Sequence, residues 1–158
     1  MARLARVPGQ RQPWRPTGIV SSAPTGDDEA VEEMATRLFA MARAGDTEGL
    51  DAYVAAGVPA NLANDNGDTL LMLAAYHGHP ATVSALVTRG ADPGRPNDRG
   101  QTPLAGAVFK GEDAVVRTLV EVGADPRSGQ PSAVDTARMF GRDDLLELFG
   151  EPDRGPQP

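Results

Sequence analysis

Along the chain, apolar residues come in short bursts at helical spacing, separated by segments rich in Gly, Asn and Asp. Val83, Leu86 and Val87 share one helix face, as do Val115, Val116, Leu119 and Val120. Upstream, Val31, Met34 or Ala35, Leu38, Phe39 and Ala42 form another apolar stripe. Start and stop signals bracket the bursts. Thr69, Thr102 and Ser132 are placed to cap helices through their hydroxyls, and Pro103 occupies a first helical position, where a missing N–H costs nothing. Gly78, Gly111 and Gly141 end those helices, because glycine adopts the left-handed conformation of a C-terminal cap without strain. A second helix follows each, closing at Gly90, at Gly123 and, in the last unit, at Phe149 and Gly150. The segments NDNGD and NDRGQ read as tight turns. The first helix is predicted to begin near Asp27, with Thr25 and Asp28 at capping-box spacing and acids crowding its first turns.

These signals recur with a fixed period of 33 residues. Gly45, Gly78 and Gly111 are so spaced, as are Gly57, Gly90 and Gly123, while Gly67 with Thr69 returns as Gly100 with Thr102. RGADP at 89–93 answers VGADP at 122–126. A further copy, SAVDTARMFGRDDLLELF at 132–149, aligns with 102–119 after a step of 30, so its preceding connection is three residues shorter.

The strings NDNGDTLLMLAAYHGHPATVSALVTRGADP and NDRGQTPLAGAVFKGEDAVVRTLVEVGADP resemble the ankyrin repeat, with its Gly-x-Thr-Pro-Leu opening, a Gly closing the first helix and Gly-Ala-Asp closing the second. The resemblance covers about residues 34–150. It departs from the family pattern at Leu70, which replaces Pro, and at Met72, Ala105 and Asp135, where His is favoured. It implies an all-α ankyrin-repeat solenoid of about four helix-turn-helix repeats with short hairpin-like connections. The units are expected at about 27–66, 67–99, 100–129 and 130–150, with degenerate end units whose outer faces meet water. Residues 1–26 and 151–158 are expected to be disordered tails, since they offer little apolar area to offset the entropy of ordering. Met34 is a second candidate for the initiator.

Composition narrows the chemistry. With no cysteine among 158 residues, disulfides, thiolate metal sites and thiol nucleophiles are excluded. Only 7 aromatics stand against 24 alanines, which suits helices that approach closely on small side chains. Arg3, Arg6, Arg11 and Arg15 give residues 1–26 a charge of +4, so the remainder must hold −11 to reach the net −7. A body that acidic repels phosphate backbones, which argues against nucleic acid as a partner. No segment reaches the roughly 18 apolar residues of a membrane span, and no secretory leader is evident, so a cytoplasmic location is expected. Fourteen Arg against the single Lys110 point to a GC-rich, bacterial genome.

Neither catalysis nor metal binding finds support in the remaining motifs. Asp46/Glu48, Glu112/Asp113 and Asp143/Asp144 each follow a helix-ending Gly, where acids stabilise the next helix N-terminus, and they stand one repeat apart. His77 and His79 flank a turn with no companion carboxylate cluster, a weak ligand set. No nucleophile motif or phosphate-binding glycine loop is present. The expectation is a protein that is not an enzyme and needs no cofactor or metal.

The ankyrin resemblance implies instead a concave recognition face made of turn tips and inner-helix ends. The tips are Asp65, Asn66 and Asp68, then Asp98, Arg99 and Gln101. The helix ends are Arg43-Ala44, Tyr76-His77, Phe109-Lys110 and Met139-Phe140. Tyr76, Phe109 and Met139 occupy one repeat position and should form an apolar ladder, the kind of cluster that anchors a protein partner. The expected function is that of a monomeric adaptor or inhibitor that binds another protein there. The alternative is an accessory subunit of a neighbouring-gene enzyme or toxin that docks through the Arg-rich tail, where Trp14 reads as an exposed aromatic.

Overall fold

The computed structural model describes residues 24–151, with side chains from residue 29 onward. Trp14, the four tail arginines and residues 152–158 lie outside the described residues. Eight helices follow in order: α1 (Pro24–Ala44), α2 (Thr47–Ala55), α3 (Leu70–Tyr76), α4 (Pro80–Thr88), α5 (Pro103–Lys110), α6 (Asp113–Glu121), α7 (Ala133–Met139) and α8 (Asp143–Leu148). No strand is present among the described residues, only isolated bridges such as Ala63 to Thr69.

The capping signals act as read. Thr69 accepts from the Met72 N–H at 3.0 Å, Thr102 from Ala105 at 3.2 Å and Ser132 from Asp135 at 3.1 Å. Gly78, Gly111 and Gly141 take φ of 82°, 73° and 65°, the left-handed values that end α3, α5 and α7. At the N-terminus the structure corrects the prediction. The first helix begins at Pro24 rather than near Asp27, so Thr25 and Asp28 stand within it. Proline suits an opening position, because its fixed φ is already helical.

Helix pairs stack in two rows. The inner row runs α1, α3, α5, α7, each helix packed on the one before, while α4 bridges α2 and α6 in the outer row and α8 packs on α7. The inner row is built on small side chains. Ala74, Ala75, Ala107, Ala133 and Ala137 are fully buried, and leucines and valines such as Leu71, Leu104, Val116 and Leu119 fill the space between rows. A methyl group on Gly106 would come within 3.3 Å of the Tyr76 ring, which marks how closely α5 approaches α3. The core is therefore one continuous seam, and each repeat buries its apolar face only against its neighbours. Val31, 3% exposed, belongs to it, so residues upstream of Met34 contribute to the fold.

The turns between repeats are held by an amide with a 33-residue period that the sequence reading did not single out. Asn64 accepts from the Asn66 and Asp68 N–H groups at 2.9 and 3.0 Å. Asn97 does the same for Arg99 and Gln101, both at 3.0 Å. Asn97, 6% exposed, also donates across the repeat boundary to Asp68 Oδ1 at 2.9 Å. The backbone continues the link, with Asp98 N–H donating to the Asn66 carbonyl and Gln130 N–H to that of Gly100.

Truncating Asn97 leaves two part-buried N–H groups and the Asp68 carboxylate without their partner, so Asn97→Ala should cost about 2 kcal/mol and the more exposed Asn64→Ala about 1 kcal/mol. Urea denaturation of both variants measures this. A loss below roughly 0.5 kcal/mol for Asn97→Ala would show that water replaces the amide without penalty.

Candidate recognition face

Each inner helix ends in a pair of residues that points away from the core seam. Arg43 and Ala44 end α1, and both are exposed. Tyr76 ends α3 half-buried, with exposed His77 at its cap. Phe109 and Lys110 end α5 exposed, and Met139 ends α7 with Phe140 at its cap. Phe109, Met139 and Phe140 are 55%, 69% and 50% exposed, large apolar groups that the fold leaves in water.

The ring contacts between neighbouring repeats run diagonally across the helix ends rather than along one repeat position. The ring of Phe109 meets Phe140 edge-on, with centroids 5.7 Å apart. Lys110 Nζ sits 5.0 Å from the centre of the Tyr76 ring, a cation–π contact. In both cases a helix-end residue of one repeat touches the following position of the next repeat. Among the described residues no ring contact joins Tyr76 to Phe109 directly. The reason is packing. Tyr76 lies down over Gly106, where a side chain would obstruct it, and so leaves less of its ring to solvent than Phe109 does.

The predicted turn-tip residues divide into two groups. Asn66, Asp98 and Arg99 are exposed, and Asp65 is half-buried. Asp68 and Gln101, also half-buried, are engaged by Asn97, so their side chains help to hold the turns. Their polar groups are less available to a partner than the sequence pattern implied.

The two histidines also part ways. With its proton on Nε2, His79 donates to the Arg43 carbonyl across 2.7 Å and fills the space above Gly45, which joins the second repeat to the first. Glu112, one period later, packs over Gly78 in the same way. Arg142, at the corresponding place in the last repeat, instead reaches Asp113 and Asp144, each at 2.9 Å. That corrects the reading of the acidic pairs. Asp46 is a true side-chain cap, accepting from Gly49 N–H at 3.0 Å, whereas Glu112 makes no capping bond and Asp113 and Asp144 serve the Arg142 ion pairs.

Among the described residues no group of three or more His, Asp or Glu side chains is arranged to hold a metal. A shallow depression along α1 is lined by Glu29, Glu32, Glu33, Thr36, Arg37 and Ala40. No described helix is long and apolar enough to cross a membrane.

Comparison with known proteins agrees with this architecture. A family model described as Ankyrin repeats (3 copies) matches residues 38–130. Ankyrin repeat protein PA3287 of Pseudomonas aeruginosa is 46% identical over 56 residues, 35% of this chain and 33% of its own length. The chain thus spans about a third of the curated relative it matches. The family model stops at residue 130, yet α7 and α8 beyond it add one more helix pair on α5.

His77 supplies a probe of the face. Partial burial disfavours its charged form, and Arg43, Lys110 and His79 push in the same direction against the opposing pull of Glu112, so its pKa is lowered. Protonation therefore costs more in the folded chain than in the unfolded one. The contribution of His77 to stability is full above the unfolded value of about 6.5 and falls as pH drops through the lower folded value. A proton NMR titration should give a midpoint below about 6.5 that rises in Lys110→Gln. A midpoint at or above that value would remove the assigned cause.

Proposed function

The chain belongs to the ankyrin repeat family, whose repeats generally mediate protein–protein interaction, and from that premise we propose that it is a non-catalytic adaptor or inhibitor. It binds its partner protein on the face formed by the inner-helix ends. The observation that carries the reading is the exposure of Phe109, Met139 and Phe140 together at one edge of a described body that otherwise leaves only Leu148 as a large apolar group in solvent. Contiguous apolar exposure of this kind costs free energy in water and is recovered when a partner covers it. Tyr76 extends the edge, and His77, Lys110, Asp65, Asp68, Arg99 and Gln101 form its polar surroundings. They orient the partner more than they hold it.

The protein acts as a monomer in the cytoplasm, with no cofactor, under this reading. Affinity comes from apolar burial on rigid helix ends, so little ordering entropy is spent on the protein's own side.

Phe109→Ala/Phe140→Ala removes both anchors from exposed positions, which should leave folding intact by circular dichroism. Each anchor is expected to contribute about 2 kcal/mol, a loss of roughly thirtyfold in affinity per residue. Capture from host-cell extract with wild type and variant, followed by hydrogen exchange on the captured complex, tests this. Protection at residues 103–111 and 133–141 is expected in the wild type. A folded double variant that keeps every partner sinks the proposal.

A further inference from the structure

The four helix-end pairs are not alike along the stack. Toward the N-terminal side they carry Arg43, Tyr76 and His77, toward the C-terminal side Met139 and Phe140, and between them stand Phe109 and Lys110. The cations at these helix ends are not neutralised by carboxylates among the described residues. Arg89, Arg127, Arg138 and Arg142 are each paired with carboxylates, whereas Arg43 and Lys110, like Arg37, Arg95, Arg99 and Arg117 elsewhere, have no ion pair among the described residues. Lys110 instead rests on the Tyr76 ring, which holds its ammonium at the surface without neutralising it. This occurs in a chain of net charge −7, where nearby acids are plentiful. Glu112 faces His77 from the α6 side but pairs with neither cation.

We infer that the partner segment taken by this face is an acidic stretch followed by large apolar residues, with its carboxylates over Arg43 and Lys110 and its apolar side chains over Phe109, Phe140 and Met139. The inference rests on the reading of the helix ends as a protein-binding face and adds the chemistry of what binds there. Stacked helices lie about 8–10 Å apart, and an extended peptide advances about 3.3 Å per residue. Successive anchors on the partner should therefore recur about every three residues. The acidic body repels a strand with a phosphate at every nucleotide more strongly than a segment with a few carboxylates, which favours a protein segment over RNA as the source of the negative charge.

The test uses the full chain and three fluorescein-labelled peptides, read by fluorescence anisotropy. The first has two Glu followed by Leu and Phe at three-residue spacing, made in both chain directions. The second replaces Glu by Lys, and the third replaces Leu and Phe by Ser. The first should bind at least tenfold more tightly than either of the others, in one direction or both, and should weaken as salt rises. Arg43→Glu/Lys110→Glu should reverse the preference between the first two peptides. Arg43→Gln/Lys110→Gln, milder if reversal disturbs folding, should abolish that preference.

Equal binding of the Glu and Lys peptides, lost in Phe109→Ala/Phe140→Ala, would overturn the acidic partner while leaving the face intact as a binding site. Binding of the first peptide that survives both pairs of substitutions would overturn both readings. Failure of all three peptides at millimolar concentration overturns the inference. So does displacement of the first peptide by a single-stranded RNA at lower concentration than by the unlabelled peptide itself.

Discussion

Everything in this molecule depends on close contact between inner helices of successive repeats. A seven- or eight-residue helix such as α3 or α5 cannot bury its own apolar surface, and only the next helix pair can cover it. That contact is short because alanine and glycine line it, and it is fixed in register because asparagine side chains hold the intervening turns. Remove the neighbour and the seam is open to water. The stability of each unit is thus partly the property of the unit beside it.

The same contact builds the proposed recognition face. Because inner helices stack side by side, their C-terminal ends form a row, and whatever residues occupy those ends are displayed together. The ends are also where helix dipoles present negative partial charge, which favours Arg43 and Lys110 there whatever they bind. What makes the row more than a set of caps is its asymmetry. Exposed apolar surface is greatest toward the last repeats, at Phe109, Met139 and Phe140, and the contacts of Lys110 on Tyr76 and Phe140 on Phe109 follow the same diagonal step.

Interfaces between repeats tolerate chemical change where the backbone supplies the contact. One repeat position holds His79, then Glu112, then Arg142, and each is satisfied differently: by a carbonyl, by packing over Gly78, and by two carboxylates. At the array's end this becomes a cluster of exposed ion pairs, including Arg127 and Arg138 with Glu151, which fastens the last unit. Such exposed pairs are individually weak, and the buried Leu145 and Phe149 supply the greater part of the closure.

Much of the fold was legible in the chain itself. The beat of Gly45, Gly78 and Gly111, the caps at Thr69, Thr102 and Ser132, and the stripes of Val83 and Leu86 or Val115 and Leu119 are short-range signals, because capping, left-handed glycine and helical spacing depend on a few neighbouring residues. Repeat phase also identified which residues end the inner helices. Asn64 and Asn97 share the period too, but the burial of Asn97 follows from the fit of one turn against the next. Whether Tyr76 or Phe109 faces solvent, which of them touches Lys110 or Phe140, and whether Asp68 is available to a partner could not be read from spacing. Those outcomes are set by the offset between stacked helices, which arises from packing side chains across a repeat boundary. Sequence determined the period, the helices and the row of helix ends; tertiary contact decided which side chains in that row are left free to bind.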